Sequence, residues 1–413
     1  AAKVLPATVD VNDLGRATSV ASKALKARVL LYAASPLWNG GFPFTGWKNT
    51  NYETPGYGKE LVSLNYSRDK WVRAKTACQE ALDLALAEGG RALFDLQTSE
   101  SLRTMHQLNL PNIPGTSDDF KKKVMQMRYM MCSVETEGNR EVIWGIVTDR
   151  LSTNAVEAVP HWVVTKNDGS AWGGVCAMSP LLYAVEHFYT ADGKLPENDS
   201  QLSKDSWFES AGYAGREDII KLNTKREPRF YASIAYNGSV WEAASASEPR
   251  YRNQQIFYYR GTEDGKQGFK EECPLTGMTL KKFYNSEDSR TDGGYVIEKT
   301  EMTIRYAEIL LIYAEALNEL SEGEVYHLKT YSNEDVEIKR DEDEMRYAIK
   351  RIRMRAGVPD YTNETYKNQA DFRVKLKRER QVELLGENSM RYFDLRRWKD
   401  ALTEENQLLQ GCN

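Results

Sequence analysis

Apolar residues recur with a helical period in five stretches of the chain. Residues 18–37 (TSVASKALKARVLLYAASPL) bring Val20, Ala21, Ala24, Leu25, Leu31 and Tyr32 near one side, and Pro36 stops the helix. Residues 71–88 form the second stretch, closed by Gly89 and Gly90. Residues 305–320 (RYAEILLIYAEALNEL) form the third and end near Ser321–Gly323. Residues 345–356 place Ile349, Ile352 and Ala356 on one face and stop at Gly357-Val358-Pro359. Residues 371–385 form the fifth, rich in charge and in good helix formers.

The third stretch is unlike the others. On a helix, Tyr306, Ile309, Leu310, Tyr313, Leu317 and Leu320 make one wide apolar face. Ala307, Leu311, Ala314 and Ala316 extend it on both flanks. Glu308, Glu315 and Glu319 share the narrow remaining stripe with Ile312. So wide an apolar arc predicts more than one neighbour, and the alanines let a second backbone come close. LLYAAS at 30–35 echoes LIYAEA at 311–316. The echo has no fixed period, but it points toward stacked helix pairs of the tetratricopeptide kind.

Long irregular stretches separate these helices. Residues 39–66 are rich in Gly, Asn and aromatics, and residues 152–180 are similar. Residues 223–300 mix short strand-like runs with turns. Loops of this length decorate a rigid scaffold or carry function. The acidic run at 333–344 reads as a solvated loop; Asp341, Glu342 and Asp343 do not have EF-hand spacing.

Composition then removes whole classes of function. A net charge of -5 argues against a nucleic-acid binder working by bulk attraction. No run approaches the ~18 apolar residues of a membrane span, and no signal peptide opens the chain. Five scattered cysteines without C-x-x-C exclude a disulfide-rich scaffold and a sequence-visible zinc site, and Cys78 falls in a helical pattern as a small buried residue. The four histidines lack metal-ligand spacing. Neither G-x-S-x-G, H-E-x-x-H, a P-loop nor a dinucleotide fingerprint occurs. Glu379, Glu383 and Glu387 stand among Arg378, Arg380 and Arg391 and read as structural ion pairs, not as a hydrolytic carboxylate pair. The reading nominates no catalytic residue, metal ligand or cofactor. Aromatic residues make up 11% of the chain, a surplus that hints at stacking surfaces.

Two segments, IRYAEILLIYAEALNEL and RERQVELLGENSMRYFDLRRWKD, together resemble the hallmark segments of the SusD/RagB family, glycan-binding lipoproteins on the outer surface of Bacteroidetes. GRATSVASKALKARVLLYAASPLWNG at 15–40 resembles the family's early helix. VEHFYTADGKLPEND at 185–199 resembles its E-x-F-x-x-x-D-G-K segment. KREPRFYASIAYNG at 225–238 resembles its R-D-P-R strand entry, with Glu227 where Asp is usual, and IRMRAGVP fits the helix stop that follows. The sequence departs from the family in lacking the hundred-odd residues and lipid-bearing cysteine before the early helix and a closing stretch after GCN. It is therefore expected to be truncated at both ends. Residues 387–391 (ENSMR) are also one residue longer than the commoner Glu-Gly-x-Arg turn.

The resemblance implies a mainly α fold: a tetratricopeptide-like helical platform packed with a large loop-rich part that contains short β-hairpins. It implies a single unit over 1–413, with the platform at about 15–37, 68–90, 301–322, 345–357 and 368–399 and the ligand-binding part at about 39–66 and 150–300. Arg378, Glu379, Arg391, Asp394 and Arg397 then read as scaffold and Trp398 as a packing anchor. The implied function is capture of an oligosaccharide at the cell surface and delivery to a SusC-like TonB-dependent transporter. The protein would sit on the outer face of the outer membrane, held by a lipid anchor outside this sequence. Sugar faces need flat rings, and hydroxyls need amides or charges. The nominated residues are Trp47, Tyr52 and Tyr57 in the first loop, Trp162, Asn167, Asp168 and Trp172 in the second, and Trp241 and Tyr251 in the third. Trp71 and Trp144 read as core and Trp38 as packing. A peptide or other nutrient as cargo is the alternative, and a glycoside hydrolase stands behind both.

Overall fold

The stretch that is apolar almost all round becomes a helix buried on every side. In this computed structural model, which describes residues 2–96, 110–147, 157–170, 174–266, 272–329 and 333–408, every residue of Tyr306–Asn318 is buried. In chain order the longer helices are α1 (Ser19–Ala34), α2 (Arg68–Ala87), α3 (Asp118–Cys132), α4 (Tyr306–Asn318), α5 (Glu342–Arg355), α6 (Gln369–Glu383) and α7 (Met390–Trp398). The short hairpin strands are β1 (Ile234–Tyr236), β2 (Val240–Trp241), β3 (Gln254–Gln255), β4 (Met278–Leu280), β5 (Tyr326–Lys329) and β6 (Asp335–Ile338). The fold is mainly α. The chain forms two units: Ala1–Ala92, Ile304–Lys350 and Tyr361–Leu408 make one, and Leu93–Thr303, Arg351–Asp360 and Leu409–Asn413 the other. Among the described residues, no helix is long and apolar enough to cross a membrane.

In the first unit α4 packs against α1, α2 and α6. Ala24 and Ala27 on α1 and Ala74, Ala77 and Ala81 on α2 are buried, which lets backbones approach closely. Thr18 caps α1, its hydroxyl accepting the Ala21 N–H at 3.0 Å. The helix stops at Ala34 because Pro36 follows and Ser35 bonds back to Leu31. At the end of α2 a Cβ on Gly89 would stand 2.9 Å from Val20 Cγ2 and 3.0 Å from the Ala85 carbonyl, so only glycine lets α1 and α2 close there.

The acidic stripe of α4 is taken up by arginines from other helices. Glu308 takes Arg28 from α1 through two bonds of 2.7 and 2.6 Å. Glu315 takes Arg397 from α7, and Glu319 takes Arg373 from α6 at 2.6 and 2.7 Å. Each glutamate thus ties α4 to a different helix by a bidentate, charge-assisted pair. Arg305, just before α4, does the same with Glu383 and Glu387, at 2.8 and 2.7 Å. The longer turn at 387–391 is accommodated by left-handed backbone at Asn388 and Ser389, at φ 44° and 54°. The acidic run at 333–344 is not a plain loop either. Asp335 opens β6, which pairs with β5, and Asp341 caps α5 by accepting the Asp343 and Glu344 N–H groups at 3.0 Å.

The second unit holds α3, which is not among the five periodic stretches. Its signal is a cap: Ser117 accepts the Phe120 N–H at 3.3 Å, with Asp118 and Asp119 in the first turn. β1 pairs antiparallel with β4 and β2 with β3. Val159, Val163, Val164, Trp241, Ile256, Tyr258 and Tyr284 form the core beside them. The REPR segment is structural. The Arg226 guanidinium donates to the carbonyls of Leu222, Val185 and Phe188 at 3.0, 2.6 and 2.8 Å. Glu227 accepts the Tyr189 N–H at 2.9 Å and pairs with Arg229 at 2.6 Å. Glu242 is clasped between Arg128 at 2.8 Å and Lys281 at 3.0 Å, all three buried.

Candidate functional site

Between α1 and α2 the chain leaves the helices for a long aromatic loop and returns to nearly the same point. Asn39 closes the neck. It is buried, its amide donates to the carbonyls of Ala34 at 3.1 Å and Ser67 at 3.0 Å, and its oxygen accepts the Ser67 N–H at 2.8 Å. Gly40 has φ 95°, and a Cβ there would meet the Tyr66 backbone nitrogen at 3.0 Å. With its ends joined, the excursion is a closed-neck loop carried on two helices. Inside it the Lys48 and Glu60 backbones form an isolated antiparallel β-bridge, and the Leu61 N–H reaches the Trp47 carbonyl at 2.9 Å.

The rings on this loop form two groups. Trp38 stacks on Phe42 with centroids 5.3 Å apart, and Phe42 stacks on Trp47 at 5.2 Å, nearly parallel at 10°. Phe44 meets Phe42 edge-on at 5.7 Å. At the tip Tyr52 stacks on Tyr57 at 4.0 Å, their hydroxyls 2.7 Å apart. Asx turns shape that tip, Asn49 Oδ1 accepting the Asn51 N–H and Asn51 Oδ1 the Glu53 N–H. These rings are open to solvent: Trp47 is 49% exposed, Phe44 67%, Tyr52 81% and Tyr57 51%. Trp38 lines a cavity of about 320 Å³ together with Tyr32, Leu61, Val62, Ser63 and Lys70. All of these residues belong to the first unit.

The nominated residues of the second unit fare differently. Trp241 has no exposed surface: its indole N–H donates to Tyr258 Oη at 3.1 Å, Tyr284 covers it edge-on at 4.6 Å, and Lys281 stands 4.7 Å from the ring. Tyr251 is buried against Trp162 at 5.4 Å and under Arg250 at 4.7 Å. Both rings have their faces covered by the unit's own side chains, so they are packing residues and not part of an open platform. Trp162 is partly covered on the same core, and its buried indole nitrogen has no hydrogen-bond partner among the described residues. Asn167 joins this cluster, its carbonyl oxygen accepting from Arg250 at 2.5 Å and its backbone N–H reaching Asp292 at 2.7 Å. Asp168 caps its own turn through the Ser170 N–H and hydroxyl, and those bonds hold its carboxyl below the usual range. Trp172 lies outside the described residues.

The structure therefore places Trp47 in one ring group and Tyr52 with Tyr57 in a second on the same loop, and it brings Trp162, Tyr251 and Asn167 together in another place. Phe42, Phe44 and Lys70, which the sequence reading does not nominate, and Trp38, which it assigns to packing, lie beside Trp47 or on the same cavity. The signal was present in NGGFPF, where two phenylalanines sit in a glycine-rich loop with no apolar period to bury them. Elsewhere Trp71 is core as read, whereas Trp144 is only half-buried. Among the described residues no group of three or more His, Cys, Asp or Glu side chains could hold a metal ion.

The family model described as SusD family matches residues 140–413. Of the solved structures, BT4246 is 40% identical with a TM-score of 0.81, over 97% of this chain and 64% of that one. A SusD-like protein, BF3747, from Bacteroides fragilis NCTC 9343 is 22% identical with a TM-score of 0.61, over 97% and 58%. A SusD-like carbohydrate binding protein, BF0978, from the same organism is 18% identical with a TM-score of 0.54, over 97% and 56%. The last two share the fold. The chain spans less than two thirds of the length of each of these relatives. No curated protein matches it.

Proposed function

Because the chain belongs to the SusD family, we propose that it is a nutrient-binding protein that captures a glycan by ring stacking and hands it to a SusC-like TonB-dependent transporter. In this reading it works at the outer face of the outer membrane, held by a lipid anchor beyond this sequence. The observation that carries the reading is the closed-neck aromatic loop at 39–66. A folded monomer normally covers large apolar rings, yet Trp47, Phe44, Tyr52 and Tyr57 stand open on a loop whose neck is pinned by three hydrogen bonds. Open, preorganised rings suit the apolar faces of pyranose units, and the asparagines of the tip suit their hydroxyls. Binding of this kind asks for no bond-breaking group. Arg378, Glu379, Arg391, Asp394 and Arg397 remain scaffold: Tyr361 donates to Glu379 at 3.1 Å, and Arg391 pairs with Glu404 at 3.0 Å.

The test is retardation of the full-length protein in gels that contain different polysaccharides, with reducing sugar assayed in the same samples. Retardation by a polysaccharide without sugar release supports the reading. Sugar release would make the protein a hydrolase, and binding of peptides in place of any polysaccharide would make it a peptide receptor of the same transporter type.

A further inference from the structure

The cavity beside the stacked rings contains a cation without a counter-ion. Lys70 lies in the first turn of α2, and its half-buried ammonium donates to the Trp38 carbonyl at 2.6 Å. Among the described residues no carboxylate pairs with it, and no acidic side chain lines the cavity. Burial alone pulls its pKa below the usual lysine value, because partly desolvating a charge disfavours it. Other lysines in this unit are placed differently: Lys23 is paired with Glu80 at 2.6 Å and Lys75 with Glu344 at 3.1 Å. The rest of the cavity suits a sugar ring. Trp38 and Tyr32 give aromatic walls, Leu61 and Val62 an apolar side, and Ser63 a hydroxyl at the rim. Its volume of about 320 Å³ is at the small end of ligand sites, room for one or two pyranose rings.

We infer that this cavity is a subsite for an anionic sugar, whose carboxylate or sulfate meets the Lys70 ammonium while its ring lies against Trp38. The inference rests on the glycan reading and names the substrate class of the same site. A neutral hydroxyl could accept from Lys70, but only an anion both fills the hydrogen bond and neutralises the half-buried charge. The preference is local, since a protein of net charge -5 does not attract polyanions by its overall field.

The experiment compares an oligogalacturonide with its methyl ester by titration calorimetry on the full-length protein, with a sulfated oligosaccharide as a third ligand. The expected result is an acid-to-ester affinity ratio of roughly tenfold or more. Lys70→Met should bring that ratio near one, and Lys70→Arg should keep it in an equally folded protein. The third ligand tells which anion is taken, carboxylate or sulfate. Equal affinity for acid and ester, with no preference for the sulfated ligand, overturns the inference, as does an acid preference that survives in Lys70→Met. If neutral polysaccharides bind while acidic ones gain nothing, only this inference falls. If no glycan binds, the glycan reading falls with it.

Discussion

Glu315 and Arg397 meet in the interior of the helical unit, both guanidinium Nη atoms on both carboxylate oxygens at 2.5 and 2.8 Å. The pair links the central helix α4 to α7, and it is not isolated. Trp398 Nε1 donates to the same Glu315 oxygen at 2.8 Å. Arg397 also reaches Ser35 at 3.0 Å and Asp394 at 2.8 Å, and Asp394 in turn takes Arg380 at 2.8 Å. Two buried arginines face two buried acids, so charge balances inside a core that water does not reach. That is the condition under which buried ions are tolerated.

Removing one member leaves the others uncompensated. Arg397→Ala should lower the unfolding free energy by about 3–5 kcal/mol, and Glu315→Gln should cost in the same direction but less, since the amide still accepts a bond. Thermal or denaturant unfolding of the two variants measures this.

Acid should unfold the protein through the same kind of group. Burial disfavours the Glu315 and Asp394 charges, but Arg397 and Arg380 outweigh it and hold both carboxyls below the usual range. For Glu242, burial opposes the charge too, and Arg128 with Lys281 still pulls it down to about 2. A carboxyl with a lower pKa folded than unfolded takes up its proton later than the unfolded chain does. Its stabilisation is complete above the unfolded value near 4.5 and is lost as pH falls toward the folded value. For Glu242 this amounts to about 3 kcal/mol. Urea midpoints should therefore hold steady between pH 7 and 5 and fall steeply between about pH 4.5 and 2.

Much of this architecture was legible in the chain. Period and caps gave α1, α2, α4, α5 and α6 to within a few residues, and α4 declared itself central by its lack of a polar face. The partners of its acids were not legible, because the arginines that claim them come from positions 28, 373 and 397, and no local pattern shows that pairing. α3 was missed because Lys121, Lys122 and Lys123 hide the start of its apolar side. The site was legible as composition only. Trp47 and Trp241 both sit in polar, turn-rich stretches, but Trp241 is covered by Tyr258, Lys281 and Tyr284, as many as 43 positions further along the chain. Contacts that distant decide which rings are open, and they have no sequence period.

The two tryptophans should accordingly separate stability from affinity. Trp241→Ala should cost about 3–5 kcal/mol of stability, as large core truncations do. Trp47→Ala should change stability by less than about 0.5 kcal/mol. It should weaken glycan binding by about 0.5–1.5 kcal/mol, a two- to tenfold loss. Paired melting curves and titrations distinguish them.

Opening the neck of the loop should cost both. Asn39→Ala leaves the Ala34 and Ser67 groups without their partner, at about 1–3 kcal/mol if water does not replace it. Limited proteolysis should then cut within residues 39–66 faster than in the unaltered protein, and glycan affinity should drop although no ring has been changed.

The most direct measurement is affinity electrophoresis of the full-length protein and its Trp47→Ala, Tyr52→Ala, Tyr57→Ala triple variant, on the polysaccharide that retards the former. All three rings are exposed, so the variant should melt within a few degrees of the parent. The account predicts that it migrates as if no polysaccharide were present. A folded variant that is retarded as strongly as the parent would contradict it and move the site off this loop.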